Sequence, residues 1–146
     1  MNLKGKMFKN ILGLPILTLL ILIISCSSEK NKKDSCEQYK NGKFLYHFRG
    51  HDKDFFFSVV RNDSIQIETD KKTGIYSKLS VKWIDKCKYE LKMLETTFPI
   101  SDSIKKISMT IPLKNEIISF TNDYYVFKSQ RDNSNSVLTD TMWIEK

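Results

Sequence analysis

The chain is poor in the residue types on which most catalytic and metal-binding sites depend. Its 146 residues include two histidines, three cysteines, five glycines and three prolines. It has no glycine-rich loop of the kind that cradles phosphate groups, and no Gly-x-Ser-x-Gly turn that would present a serine nucleophile. The two histidines, His47 and His51, have Gly50 between them, in a segment that does not suit a helical metal site. We therefore predict a non-enzymatic protein without a metal or a cofactor.

The chain also lacks an apolar run long enough to cross a bilayer as a helix. Its longest run, Ile11–Ile24, has about 14 residues, against the ~20 that a crossing needs. Three lysines (Lys4, Lys6 and Lys9) precede the run, and a small residue follows it. A basic segment, a short apolar core and a small-residue end are the marks of an export signal. We predict that residues 1–25 are a signal peptide.

The end of this segment reads Ile23-Ile24-Ser25-Cys26 and resembles the bacterial lipobox, in which the cysteine is lipidated and becomes the first residue of the mature protein. Two or more acyl chains hold a protein stably on a membrane, whereas one chain does so only marginally. We predict that Cys26 carries the lipid and that residues 26–40 form a flexible tether. The membrane is then a partner through the N-terminal lipid.

The tether also carries information about location. Ser27 follows the lipidated cysteine, whereas an Asp there favours retention at the inner membrane in the enterobacterial scheme. The tether lacks the acidic cluster that directs some Bacteroidetes lipoproteins to the cell surface. We expect a lipid-anchored protein of the cell envelope, on the outer membrane and facing the periplasm.

The charge of the mature chain is modest. Removing residues 1–25 takes away three lysines and no acidic residue, so the net charge of +7 falls to +4. The remaining lysines are scattered rather than clustered with aromatic residues along one element. Because nucleic-acid binding depends on concentrated positive charge, we predict no nucleic-acid partner.

The two cysteines left after Cys26 form an even pair in an exported chain. Exported proteins meet an oxidising environment, which favours a disulfide between Cys36 and Cys87. The alternative is two buried free thiols.

Alternating apolar and polar residues predict about eight short β-strands between residues 41 and 146, which we take as a single domain. The clearest hairpin joins residues 75–84 to residues 87–95 across Asp85-Lys86. Sequential hairpins indicate an all-β antiparallel meander, closed as a lipocalin-like barrel or half-barrel. A β-sandwich is the alternative.

The sequence also predicts two loops and the inward-facing residues of one strand. Asn62-Asp63 is predicted as a two-residue hairpin loop, followed by a strand with Ile65 and Ile67 facing inward and Gln66 and Glu68 facing outward. Residues 96–106 are predicted as a loop with room for one helical turn. Residues 107–113 alternate like another strand.

The aromatic residues of the predicted strands are sufficient to form a β-core. A sharper interpretation is that some of them line a cavity for a small apolar ligand. The candidates are Phe44, Tyr46, Phe48, Phe55, Phe57, Trp83 and Tyr89.

Three tripeptides share one further pattern, in which an Asp precedes Ser or Thr and then an apolar residue. Each resembles the acceptor for O-glycosylation of exported Bacteroidetes proteins. The predicted acceptor residues are Ser64, Ser103 and Thr141.

The segments Cys36-x-x-Tyr-x-x-Gly-Lys-Phe44 and Trp83-Ile-x-x-Cys-x-Tyr89 resemble a group of small uncharacterised exported proteins of Flavobacteria and related Bacteroidetes. The similarity covers roughly Cys36 to Met93. It implies no activity, although some such chains carry a DNA topoisomerase IV label by automatic transfer. A looser similarity is to lipocalin-like lipoproteins.

These observations predict a membrane-tethered envelope lipoprotein that binds a small apolar ligand or an envelope protein. The alternative is an interaction, assembly or inhibitor lipoprotein whose core is filled. An enzyme is the remote alternative.

Overall fold

The computed structural model describes residues 35–50 and 54–146, and it consists of eight strands and two short helices. Cys26 and the predicted signal peptide lie outside the described residues. Within the described part, no helix is long and apolar enough to cross a membrane. The elements are a 3-10 helix Cys36–Tyr39 (the plug), β1 Gly42–Arg49, β2 Asp54–Asn62, β3 Ile65–Asp70, β4 Tyr76–Trp83, β5 Lys88–Thr96, α1 Asp102–Thr110, β6 Leu113–Phe120, β7 Tyr124–Arg131 and β8 Leu138–Ile144.

The eight strands form a closed antiparallel barrel in which each strand pairs with the next along the chain. Strand β1 pairs with β8 and completes the ring. Closure removes the free sheet edges that an open meander would expose. The predicted all-β meander and its lipocalin-like barrel are confirmed, and the alternative of a sandwich is wrong.

The barrel is filled by one side chain of every two along each strand, as the pleat requires. On β8 the inward residue Met142 is 3 % exposed, whereas its neighbour Trp143 is 48 % exposed. The core residues are Cys36, Tyr39, Phe44, Val59, Val81, Tyr89, Leu91, Ile117, Tyr125, Phe127 and Met142.

The plug closes one end of the barrel, which we call the lid end. The ring centroid of Tyr39 lies 5.7 Å from that of Phe120 and 4.8 Å from that of Tyr125. Cys36 forms the predicted disulfide with Cys87, with a Cα–Cα distance of 5.1 Å. Because Cys36 and Tyr39 are both 1 % exposed, the domain includes the plug. The plug falls within the last residues of the predicted tether over residues 26–40, and the part of that tether before residue 35 lies outside the described residues.

The segment predicted as a loop and then a strand contains helix α1. Ser101 caps the helix by accepting a hydrogen bond from the Ile104 backbone N–H, and Asp102 lies in the first turn, where a negative charge is favourable. Ile107 and Ile111 are four residues apart, a spacing that fits a helix as well as a strand. The helix ends at Ile111, which adopts an extended conformation because Pro112 follows it.

The faces of β3 are the reverse of the prediction. Gln66 is 1 % exposed and Ile67 is 37 % exposed. The two-residue loop is Asp63-Ser64, since Asn62 pairs with Ile65. This register places Gln66 opposite Arg61, which faces the barrel interior, so both side chains point inward.

Candidate functional site

The lid end contains a buried arginine, and each of its three side-chain nitrogen atoms donates a hydrogen bond to a protein group. Arg61 is 2 % exposed. Its Nε donates to Gln66 Oε1 at 2.6 Å and its Nη1 to the Tyr39 carbonyl oxygen at 3.2 Å. Its Nη2 donates to the hydroxyls of Tyr89 at 3.2 Å and Tyr125 at 3.0 Å. These contacts fix the plug to the strands beneath it.

Aromatic rings surround the same guanidinium. Its carbon lies 4.6 Å from the ring centroid of Tyr89 and 5.3 Å from that of Phe44, within the range of cation–π attraction. Burial alone lowers the pKa of Arg61, but its contacts with Tyr125 and Tyr89 outweigh this and raise the pKa above the usual value. Arg61 therefore stays charged, and four of its five N–H donors bond to protein groups.

The opposite end, which we call the mouth, is lined by partly exposed aromatic rings. The rings of Tyr46 and Phe57 stack at 6.1 Å, those of Phe55 and Phe57 at 6.0 Å, and Phe48 lies 6.4 Å from Phe55. Phe98 reaches the ring of Phe57 at 5.8 Å from the connection between β5 and α1. We call these five residues the mouth cluster. Four are half-buried and Phe48 is exposed, although all four that lie on strands point inward.

A tyrosine and two carboxylates lie among these rings. The Tyr46 hydroxyl donates to Asp140 Oδ2 at 3.1 Å. Burial, then the charge and hydrogen bond of Asp140, and finally the charge of Glu68 raise the pKa of Tyr46. Glu68 lies opposite the core residue Val59 and Asp140 lies opposite the core residue Phe127, so both carboxylates are on the inward face of their strands.

Glu68 is half-buried. Its Oε1 accepts a hydrogen bond from Gln66 Nε2 at 2.5 Å. Burial raises the pKa of Glu68, while the hydrogen bond from Gln66 and the charge of Arg61 offset part of this increase.

The barrel is open along one seam next to the mouth. Strands β1 and β8 pair through only three residues each, and the pairing ends at Tyr46 and Met142. Beyond that point β1 continues to Arg49 and β8 begins at Leu138, without cross-strand pairing between them. A cleft of about 460 Å³ lies there, and its lining includes Phe48 and Asp140.

The seven aromatic residues predicted as cavity lining lie at two different ends. Phe44, Trp83 and Tyr89 surround Arg61 at the lid end. The four at the mouth are Tyr46, Phe48, Phe55 and Phe57. That any of them touches a ligand stays a prediction.

Several site residues were not predicted. Arg61, Gln66 and Glu68 were not recognised as interior groups, and neither Asp140 nor Phe98 was assigned to the site. One usable signal was present: Arg61 shares the parity of Phe55 and Phe57, which are predicted as cavity lining, so its cross-strand neighbour also had to point inward.

The other predicted positions fall outside the mouth. Ser64 is exposed in the β2–β3 turn and Ser103 is exposed on α1, whereas Thr141 is half-buried within β8. Their glycosylation stays a prediction. His47 lies outside the barrel, stacked on Phe56 at 4.2 Å, and His51 is not among the described residues. Within the described part, no group of three or more potential metal ligands occurs.

No protein-family model, curated protein or solved structure matches this chain. The resemblance to flavobacterial exported proteins therefore stays a prediction, and functional inference depends on the geometry above.

Proposed function

We propose that this protein binds a small, largely apolar ligand at the mouth of its barrel, as a lipoprotein anchored to the outer membrane through Cys26. The role is binding, without chemical conversion of the ligand. The observation that carries the proposal is the mouth cluster, whose inward-pointing rings are only partly covered. Apolar rings left partly open in a concave site are typical of ligand pockets.

The contrast between the two ends supports the same proposal. At the lid end, Tyr39, Phe44 and Tyr125 are at most 2 % exposed and pack tightly around Arg61. At the mouth, Phe48 is 38 % exposed although it points inward. A barrel that served only as a filled scaffold would gain by covering both ends equally, since each buried Å² of apolar surface contributes about 25 cal/mol.

Three consecutive phenylalanines on β2 provide the test. Phe55 and Phe57 belong to the mouth cluster, whereas Phe56 points outward and is 53 % exposed. We expect the full-length chain to bind the neutral fluorescent probe N-phenyl-1-naphthylamine. Phe55→Ala and Phe57→Ala should each weaken binding by about tenfold or more, because a ring contact is lost in the pocket.

Phe56→Ala is the matched control, with the same change of side chain on the opposite face. It should leave the dissociation constant within about twofold. Equal losses in all three variants would place the probe on the outer surface, and no binding to the unmodified chain would refute the proposal. Circular dichroism of each variant shows that the barrel has formed.

A second candidate function is docking of an envelope protein on the outer surface. It is favoured by an apolar strip across β8, β1, β2 and β3, where Leu45 lies directly opposite Trp143 and Val60 directly opposite Ile67. Exposed apolar strips of this kind often mark interaction sites. Trp143→Ser should abolish capture of a stoichiometric envelope protein if this function holds, and leave probe binding at the mouth unchanged.

A further inference from the structure

The charged side chains inside the mouth indicate which class of ligand the site would bind. Glu68 and Asp140 are both on the inward face of their strands, and Asp140 accepts the hydrogen bond of the Tyr46 hydroxyl. Among residues 35–50 and 54–146, no lysine, arginine or histidine forms an ion pair with either carboxylate. Enclosed carboxylates in proteins are normally paired with a cation, because an unpaired buried charge is costly.

Arg61 does not fill this role. Its Nε bonds to Gln66 Oε1 at 2.6 Å, and the amide of Gln66 bonds in turn to Glu68 at 2.5 Å, so a neutral side chain separates the two charges. Its other donors point to the plug and to Tyr89 and Tyr125. Arg131 also lies on the inward face of β7, but its side chain donates to helix α1, so among the described residues neither interior arginine forms an ion pair with Glu68 or Asp140.

We propose that the ligand is an organic cation, a small amine or ammonium compound with an apolar body, held by Glu68 and Asp140 and by the rings of the mouth cluster. This inference depends on the proposed binding function and names its ligand class. The ammonium group would supply the missing counter-charge. The ring faces attract a cation electrostatically and also cover its apolar body.

The arrangement disfavours the other head groups. A carboxylate or phosphate would be repelled by Glu68 and Asp140, and it would find four of the five N–H donors of Arg61 already bonded to protein groups. A neutral alcohol would fill the apolar space without compensating either charge. Selectivity should therefore follow the sign of the head group rather than the length of the apolar chain.

Three probes of eight carbon atoms each, with a cationic, a neutral and an anionic head group, distinguish these ligand classes: octylamine, octanol and octanoate. We expect calorimetric titration of the full-length protein at neutral pH to show octylamine binding at least about tenfold more tightly than octanol, with octanoate weakest. Glu68→Gln should weaken octylamine binding by about tenfold and leave octanol binding within about twofold. Asp140→Asn should act in the same direction.

Glu68→Gln keeps an acceptor for the Gln66 amide, so it removes the charge with little change in shape. The matched control is Glu116→Gln, because Glu116 is paired with Lys88 on the outer surface, 3.4 Å away. It should leave all three affinities unchanged. Equal affinities for octylamine and octanol, tighter octanoate binding, or an unaffected Glu68→Gln variant would overturn the cation proposal while the binding function stands. No binding of any probe would refute both.

Discussion

Removal of the disulfide should destabilise the barrel by a calculable amount. The Cys36–Cys87 bond links positions 51 residues apart, and joins the plug to the turn before β5. The informative variant is the double substitution Cys36→Ala with Cys87→Ala. A single substitution would leave one unpaired thiol that oxidation could join to the same thiol of a second chain, so its effect would be difficult to interpret.

The magnitude follows from the entropy of the unfolded chain. Closing a loop of this length removes about 4 kcal/mol of chain entropy from the unfolded state at 25 °C, which is an upper value because unfolded chains keep some structure. The folded variant keeps two other attachments of the plug. The Tyr39 hydroxyl donates to the Thr121 carbonyl oxygen at 2.9 Å, and Arg61 donates to the Tyr39 carbonyl oxygen at 3.2 Å. We therefore expect a folded but less stable barrel.

Urea unfolding followed by tryptophan fluorescence measures the change. With a slope of about 1 to 2 kcal/mol per molar urea, the midpoint should fall by about 2 to 4 M. Dithiothreitol should lower the midpoint of the unmodified protein to a similar extent and have no effect on the double variant. A decrease below about 0.5 M, with unchanged slope, would show that the bond does not constrain the unfolded chain as argued.

Substitutions at three further positions test other parts of the barrel. Arg61→Met should lower the free energy of unfolding by about 3 kcal/mol, because the buried partners of Arg61 lose their hydrogen-bond donor. Arg61→Lys should lower it by less. Equal stability of the unmodified protein and both variants would contradict this. Burial raises the pKa of Glu68, so the folded chain keeps that proton to a higher pH than the unfolded chain, and stability falls as pH rises from the unfolded to the folded pKa. Glu68→Gln should lack this fall in urea titrations across the pH range and exceed the unmodified protein in stability at neutral pH, but not at acidic pH. Gly74→Ala should cost about 1 kcal/mol by thermal unfolding, since Gly74 has a φ of 74°, and Gly74→Asn should cost less.

Strand positions were predictable from sequence wherever one face alternates cleanly with the other. The hairpin of β4 and β5 shows this best, because Val81 and Leu91 pair inside the barrel while Lys82 and Glu90 pair outside. The loop Asn122-Asp123 was also predictable, and the Thr121 N–H donates to the Tyr124 carbonyl oxygen across it at 2.8 Å. Barrel closure follows less directly, since pairing of β1 with β8 joins residues about 100 positions apart.

Helix α1 was not predictable from alternation because its apolar residues satisfy two periods at once. Ile107 and Ile111 fit both a strand face and one side of a helix. The deciding features are local and polar: the cap at Ser101 and the stop before Pro112. The helix is further held by Arg131, which donates to the Ser108 hydroxyl at 3.3 Å. That contact comes from β7 and has no counterpart in the local sequence.

The polar interior was the least predictable part of the site. Binary patterning assigns Ile67 inward and Glu68 outward, since burial of a carboxylate is unfavourable. The register to β2 reverses this choice, because Arg61 is held inside by Tyr89 and Tyr125 and brings Gln66 and then Glu68 with it. The aromatic residues that β1 and β2 contribute to the candidate site were predictable from the sequence. The inward position of its charged residues depends on pairing between strands, which the local pattern does not give.

Arg61 and Glu68 are interior groups of opposite charge, and they differ in the partners that the protein gives them. This difference indicates a structural role for Arg61 and a binding role for Glu68. Arg61 has protein partners for all of its nitrogen atoms and closes the lid end. Glu68 accepts a hydrogen bond from the Gln66 amide, burial raises its pKa, and in the described part of the chain it forms no ion pair. A fold selected only for stability would replace such a carboxylate with a neutral residue. Its position among half-covered rings is explained if a positively charged ligand compensates it.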